Sequence, residues 1–371
     1  MKTSCAITLH FPLTLNKKTP IFFVSLKNSC NFASEKVLIK STLNLKHLKQ
    51  KMFKVYISDS IYQTIITSEE NKAPSVQSYL YKLLKKQPIQ ILKPEDEKNI
   101  KENPASVLDN PSAVYILNIT PAEALAIQQS YGVMCLSNES LNIGKLIDVN
   151  DDQTVDQYER LGKGWDTVLN SVEKLPSNAV IITDRYLFKD EKRDYGNGFD
   201  NIKAILYEIL PQQFKGGEYH VTIVFDNREK YEKYTFNGIA SKLEEIKQEL
   251  GREYPIMMEV LGIAEDKETY YRLHNRRIYS NYFVVKMDHK IAAFNENKST
   301  TEQSIIPQQL FTLNSLNGKS TPPLKSISQI ISTLRSFSKY ISTLTDHSVY
   351  FYAVNGKRME RCYGIKNRLL K

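Results

Sequence analysis

Eight consecutive residues, His274-Asn275-Arg276-Arg277-Ile278-Tyr279-Ser280-Asn281, have the types and spacing of a phosphate site. On an extended strand alternate side chains share a face. His274, Arg276 and Ile278 would then point one way, and Asn275, Arg277 and Tyr279 the other. A guanidinium can hold two phosphate oxygens at once. An imidazole beside it can attack phosphorus or donate a proton. Tyr279 and Tyr282, with Tyr270 and Tyr271 just upstream, could stack on bases at the edge of such a site. The ordinary alternative is a hydrogen-bonded strand histidine whose neighbouring arginines pair with Asp184, Glu259 or Asp266.

These residues resemble the signature of the phospholipase D superfamily, His-x-Lys followed four residues later by Asp. His274 falls on the histidine, Arg276 on the lysine and Asn281 on the acid. The pattern is more similar to a non-catalytic branch, the C-terminal domain of MIT-domain proteins, where it runs His-Asp-Arg-x-Ile. Asn275 stands in place of that aspartate. The motif covers about ten residues, and the order of elements extends the likeness over 151–371. The resemblance implies an α/β fold and a grip on phosphate. Turnover in the superfamily needs two histidines. His220, His289 and His347 each lack a cation two residues on. A histidine-dependent enzyme would therefore need a homodimer that joins two copies of His274, the one catalytic candidate.

A second set of residues concerns metal. Asp59 follows the first apolar run, Glu123 opens a helical stretch, and Asn138-Glu139 follows another run. This order is similar to PIN-type nucleases, in which acids at strand ends hold magnesium. Asn138 stands where that family places an acid. Hard cations need clustered carboxylates, so Asp59, Glu123 and Glu139 are a minor metal candidate. Asp59 as a turn cap and Glu123 as a first-turn helix residue explain them equally well. Thr183-Asp184-Arg185 ends another apolar run, the position at which α/β sheets bind ligands.

The elements that must position these groups alternate. Phe53–Ile57, Ile89–Leu92, Ala113–Leu117, Val133–Leu136 and Leu146–Val149 read as strands. Val76–Leu84 and Pro121–Gln129 read as helices, and Glu95–Asn103 as a polar loop. Asn150-Asp151-Asp152 marks a boundary. Beyond it, Trp165, Val168, Leu169 and Val172 share a helical face, as do Ile202, Ile205, Leu206 and Ile209. Ile239, Leu243, Ile246 and Leu250 form a third, stopped by Gly251. Strands are expected at Ala179–Ile182, His220–Phe225 and Ile256–Leu261. A hairpin of Arg276–Val285 with Ile291–Phe294 is expected to turn at Met287-Asp288-His289. Residues 295–324 read as a long loop. An amphipathic stripe from Ile327 to Leu344 precedes a strand, Val349–Val354, that turns at Asn355-Gly356. The expected fold class is α/β in two domains: a small parallel-sheet unit over 52–150 and a phospholipase D-like half over 151–371.

Composition limits the partners. The chain has 371 residues, 41% of them hydrophobic and 25% charged, with no apolar run long enough to cross a membrane. Residues 1–51 hold nine lysines and a single acid, Glu35, and so carry +8 of the net +9. The basic charge is thus weak support for a nucleic-acid partner of the folded part. That leader has no arginine and no clean cleavage site, which argues against a targeting segment. It reads as a disordered extension or as sequence ahead of a true start at Met52. Four cysteines without a CxxC pair argue against zinc and fit a reducing cytoplasm. The reading is non-enzymatic binding of a phosphate-bearing partner, nucleic acid first, through His274, Arg276, Arg277 and Asn281, with Tyr279 and Tyr282 at the edge and no cofactor. A nuclease, with magnesium or with paired histidines, and a protein-interaction module are the alternatives.

Overall fold

The computed structural model describes residues 54–69, 89–139, 153–154, 164–170, 175–188, 198–226, 236–263, 276–289, 291–295, 298–299, 304–309, 349–362 and 366–370. All fall in one compact unit, Leu48–Lys371. The expected helix at Val76–Leu84, the strand at Leu146–Val149, the boundary at 150–152, the stripe from Ile327 to Leu344 and the leader lie outside the described residues.

The chain is α/β, with two main sheets. The smaller holds β1 (Val55–Ser58), β2 (Ile89–Leu92), β3 (Val114–Leu117) and β4 (Met134–Ser137) in the order β2-β1-β3-β4, all parallel. β1 and β3 are buried throughout, which is why they read as unbroken apolar runs. Tyr56 and Tyr115 sit opposite each other in register and stack at 4.8 Å. Helices α1 (Asp59–Glu69), α2 (Pro94–Glu102) and α3 (Pro121–Tyr131) accompany this sheet.

α2 replaces the expected polar loop. Pro94 fits the first helical position. Glu95, Asp96 and Glu97 fill the first turn, Lys101 fills the last, and the Asp96 carboxylate accepts from Lys93 N at 3.2 Å. Only Ile100 is buried on this helix. Capping and charge placement hold it, so it has almost no apolar period to read.

The larger sheet has the order β15-β14-β8-β7-β6-β9-β10-β13-β5. Its centre is parallel: β6 (Ala179–Thr183), β7 (Tyr219–Asp226) and β8 (Ile256–Ile263) are joined through α5 (Gly198–Ile209) and α6 (Phe236–Leu250). The apolar faces of α5 and α6 close over Val180, Ile182, Val221, Ile223 and Val260 to form the main core. A short helix, α4 (Trp165–Asn170), adds Trp165, whose Nε1 donates to Asn201 at 2.6 Å. The antiparallel flank is β9 (Arg277–Ser280), β10 (Phe283–Met287), β13 (Ser304–Gln309) and β5 (Gln153–Thr154). β14 (Val349–Asn355) and β15 (Arg358–Arg361) form the other edge, turning at Asn355-Gly356 with Gly356 at φ 56°. A separate ribbon pairs β11 (Phe294–Asn295) with β12 (Lys298–Ser299).

Two expectations on this flank are corrected. The hairpin turns at Asn281-Tyr282 between β9 and β10, and Ile291–Ala293 is not a strand. Residues 304–309, expected within a loop, are β13. Its sequence lacks a period, and its pairing with β10 supplies the order instead. No helix among the described residues is long and apolar enough to cross a membrane.

Candidate functional site

The two sheets meet at the amino ends of their strands. Just before β6, the Asn178 amide donates to the carbonyls of Pro111 and Gly132, both at 3.0 Å. Asn281 completes the pair. Its Oδ1 accepts from Asn178 N at 3.0 Å, and its Nδ2 donates to Asn178 Oδ1 at 2.9 Å and to Pro111 O at 2.7 Å. The Tyr282 phenol donates to Ala113 O at 2.6 Å and accepts from Met134 N at 2.9 Å. Burial pushes the ionisation of Tyr282 well above the usual tyrosine range. Asn281 and Tyr282 are therefore buried fastenings between the sheets, with their polar atoms engaged by the protein.

The arginines stand at the other end of β9. Thr183, the last residue of β6, is in register with Arg277. Four residues at roughly 3.3 Å each separate that end of β9 from Asn281 by about 13 Å. The structure thus divides the motif: Arg276 and Arg277 are together, and Asn281 and Tyr282 are not with them. Tyr279 lies within the strand, 2% exposed, its phenol beside Arg277 and Thr183 and its ionisation raised by burial. His274 lies outside the described residues.

Asp184 organises the arginine end. Its carboxylate is fully buried, accepting from Tyr186 N at 2.9 Å and from Ile291 N at 2.6 Å. The Arg276 Nε lies 3.9 Å from Asp184 Oδ1, and its Nη1 donates to Asp288 O at 2.6 Å. One of the pairings weighed for the arginines is thus present. The guanidiniums of Arg185 and Arg276 stand 4.9 Å and 5.4 Å from the Tyr186 ring centre. Arg185, Tyr186, Arg276 and Arg277 are all half-buried. Arg276 and Arg185 thus flank the Tyr186 ring beside one buried carboxylate at the carboxyl end of β6, while Arg277 shares a strand face with Tyr279. Thr183-Asp184-Arg185 was legible as a strand end. Tyr186 had no signal beyond following it.

Asp59 and Glu123, on the small sheet, have separate structural partners. Asp59 opens α1 and accepts from Gln63 at 3.2 Å. Glu123 forms a capping box: its carboxylate accepts from Thr120 N at 2.8 Å, and Glu123 N donates to Thr120 Oγ1 at 3.3 Å. The bonds from Thr120 hold its ionisation below the usual carboxylate range. Glu139 is exposed beyond β4. Among the described residues no three His, Cys, Asp or Glu side chains come close enough to hold a metal ion.

No family model matches the chain, and no curated protein matches it. Among solved structures, the chain is similar to the crystal structure of Aa-Ago with externally-bound siRNA, at 11% identity and a TM-score of 0.16. The match covers 76% of this chain and 44% of that one, so the chain spans less than half of its length. At that TM-score it carries no weight for fold or function.

Proposed function

We propose that the chain binds a phosphate-bearing partner without turning it over, and that the partner is nucleic acid. The supporting observation is that Arg276 pairs with the buried Asp184 and lies with Arg185 against the Tyr186 ring, at the strand end where open α/β sheets hold ligands. A guanidinium at this edge can hold two phosphate oxygens at once. Tyr186 beside Arg185 and Arg276 offers a face on which a base can stack. His274 precedes Arg276 by two residues and belongs to the same reading. The superfamily's chemistry needs two histidine motifs, and this chain has one, with arginine at the lysine position.

The test is fluorescence anisotropy of a labelled single-stranded oligonucleotide over a salt series. Arg185→Ala and Arg277→Ala should each weaken binding and flatten the log–log salt slope by roughly 0.7. Unchanged slopes would move any contact away from this edge, with the Lys-rich first 51 residues as the first suspect. Affinity unchanged by His274→Ala would take the histidine out of the site. Shortened oligonucleotide, with or without magnesium, would overturn the non-enzymatic half of the reading.

A further inference from the structure

A cleft of about 1080 Å³ opens where the amino ends of the two sheets meet, between the last turns of α3 and α5 and the end of α4. Leu125, Gln128 and Gln129 line it from α3 at spacings of three and four, so they share one helix face. Tyr207 lines it from α5. Leu125 is 52% exposed and Tyr207 54%, and they are two of only three large hydrophobic side chains so exposed among the described residues. Exposed apolar groups concentrated on one concave surface mark a place of contact.

The polar part of the lining is unusual in kind. Asn170, Gln212 and Gln213 join Gln128 and Gln129, which makes five carboxamides. Among the described lining residues Glu208 and Lys215 are the one acid and one base, so their formal charge cancels. The wall is held in place. Arg252 donates to the carbonyls of Tyr207 and Leu210 and to Gln212 Oε1, and its guanidinium lies 5.4 Å from the Tyr207 ring centre. Lys215 N donates to Ser130 O at 2.7 Å, which ties the loop after α5 to the end of α3.

We propose that this cleft docks an uncharged, extended peptide segment of a partner protein, one carrying leucine-like or aromatic side chains. A carboxamide presents a donor and an acceptor together, as a main-chain amide does, and suits a backbone running past it. Leu125 and Tyr207 receive the apolar side chains. A nucleic-acid or lipid phosphate does not fit. The described lining residues carry no cationic excess, and α3 and α5 both bring their negative carboxyl ends to the cleft.

The experiment is selection of a displayed random peptide library on the full chain, followed by anisotropy with the enriched peptides after labelling. The enriched set should be uncharged and rich in leucine and aromatic residues. Leu125→Asp and Tyr207→Ala, both at exposed positions, should each weaken binding by roughly tenfold. Ile91→Asp, at the third exposed apolar position and away from the cleft, should not. Oligonucleotide binding by the Leu125 and Tyr207 variants should match wild type, which separates this site from the arginine edge. No enrichment, a predominantly charged peptide set, affinities indifferent to Leu125 and Tyr207, or displacement of the peptides by oligonucleotide would each overturn the proposal.

Discussion

Two buried residues show how a side chain's surroundings fix its role. Asn281 exchanges hydrogen bonds with Asn178 and reaches Pro111 of the other sheet. Asn281→Ala removes these bonds together and leaves the buried Asn178 N–H and Oδ1 unsatisfied, while Pro111 O keeps its bond from Asn178. It should cost roughly 2–4 kcal/mol, read as a lower urea midpoint. Glu259 is 1% exposed on β8, and accepts from Lys366 N at 2.8 Å and from Thr222 Oγ1 at 3.2 Å. Burial is the main cause that pushes its ionisation up to about 7, against the partial relief of those bonds. The folded value lies above the unfolded one, so folding favours the uncharged acid. The stabilisation is fully present below the unfolded value near 4.5 and is lost as pH rises through about 7. Wild-type stability should exceed its pH 8 value at pH 5 by up to about 3 kcal/mol from this group. Glu259→Gln should remove that difference in paired urea titrations, and an equal pH dependence in both proteins would show that another group is responsible.

Among the elements, α3 is the one on which both the sheet junction and the cleft depend. Thr120, Pro121 and Glu123 start it, and Gly132 stops it at φ 61°. A methyl group on Gly132 would lie 2.0 Å from Ser177 O, and this conformation already disfavours a side chain. Gly132→Ala should therefore destabilise by more than the roughly 1 kcal/mol of an ordinary glycine cap. Thr120→Ala, at an exposed cap, should cost about 1 kcal/mol. Thermal unfolding of the two variants side by side measures the ranking, and equal losses would show that the helix end yields more easily than its contacts suggest. The helix at Pro121–Gln129 and Glu123 as its first-turn residue were legible in the sequence. The close approach of Ser177, 45 residues further along the chain, was not.

At the scale of the molecule, the buried bonds of Asn178, Asn281 and Tyr282 tie the two sheets together and should make them unfold as one. Trp165 is the lone tryptophan and packs in the larger sheet's core, while the buried Cys135 lies on β4 of the smaller. In a variant retaining only this cysteine, thiol labelling of Cys135 and Trp165 fluorescence should give one urea midpoint. Asn281→Ala should pull the two midpoints apart, and coincident curves in that variant would place the coupling elsewhere. The sequence by itself determined the α/β class, the buried parallel strands and the faces of α5 and α6, because apolar periodicity and glycine stops act over a few residues. It also singled out Arg276, Arg277 and the Asp184-Arg185 strand end. It did not separate Asn281 and Tyr282 from the arginines, nor disclose α2, β13 or the cleft. A strand motif read as one site has two ends about 13 Å apart, and only the pairing of β9 with β6 decides what stands at each. Burial decided the rest: an asparagine, a tyrosine and a glutamate have the same chemistry anywhere in the chain, and their roles follow from which distant backbone groups the fold brings within hydrogen-bonding distance.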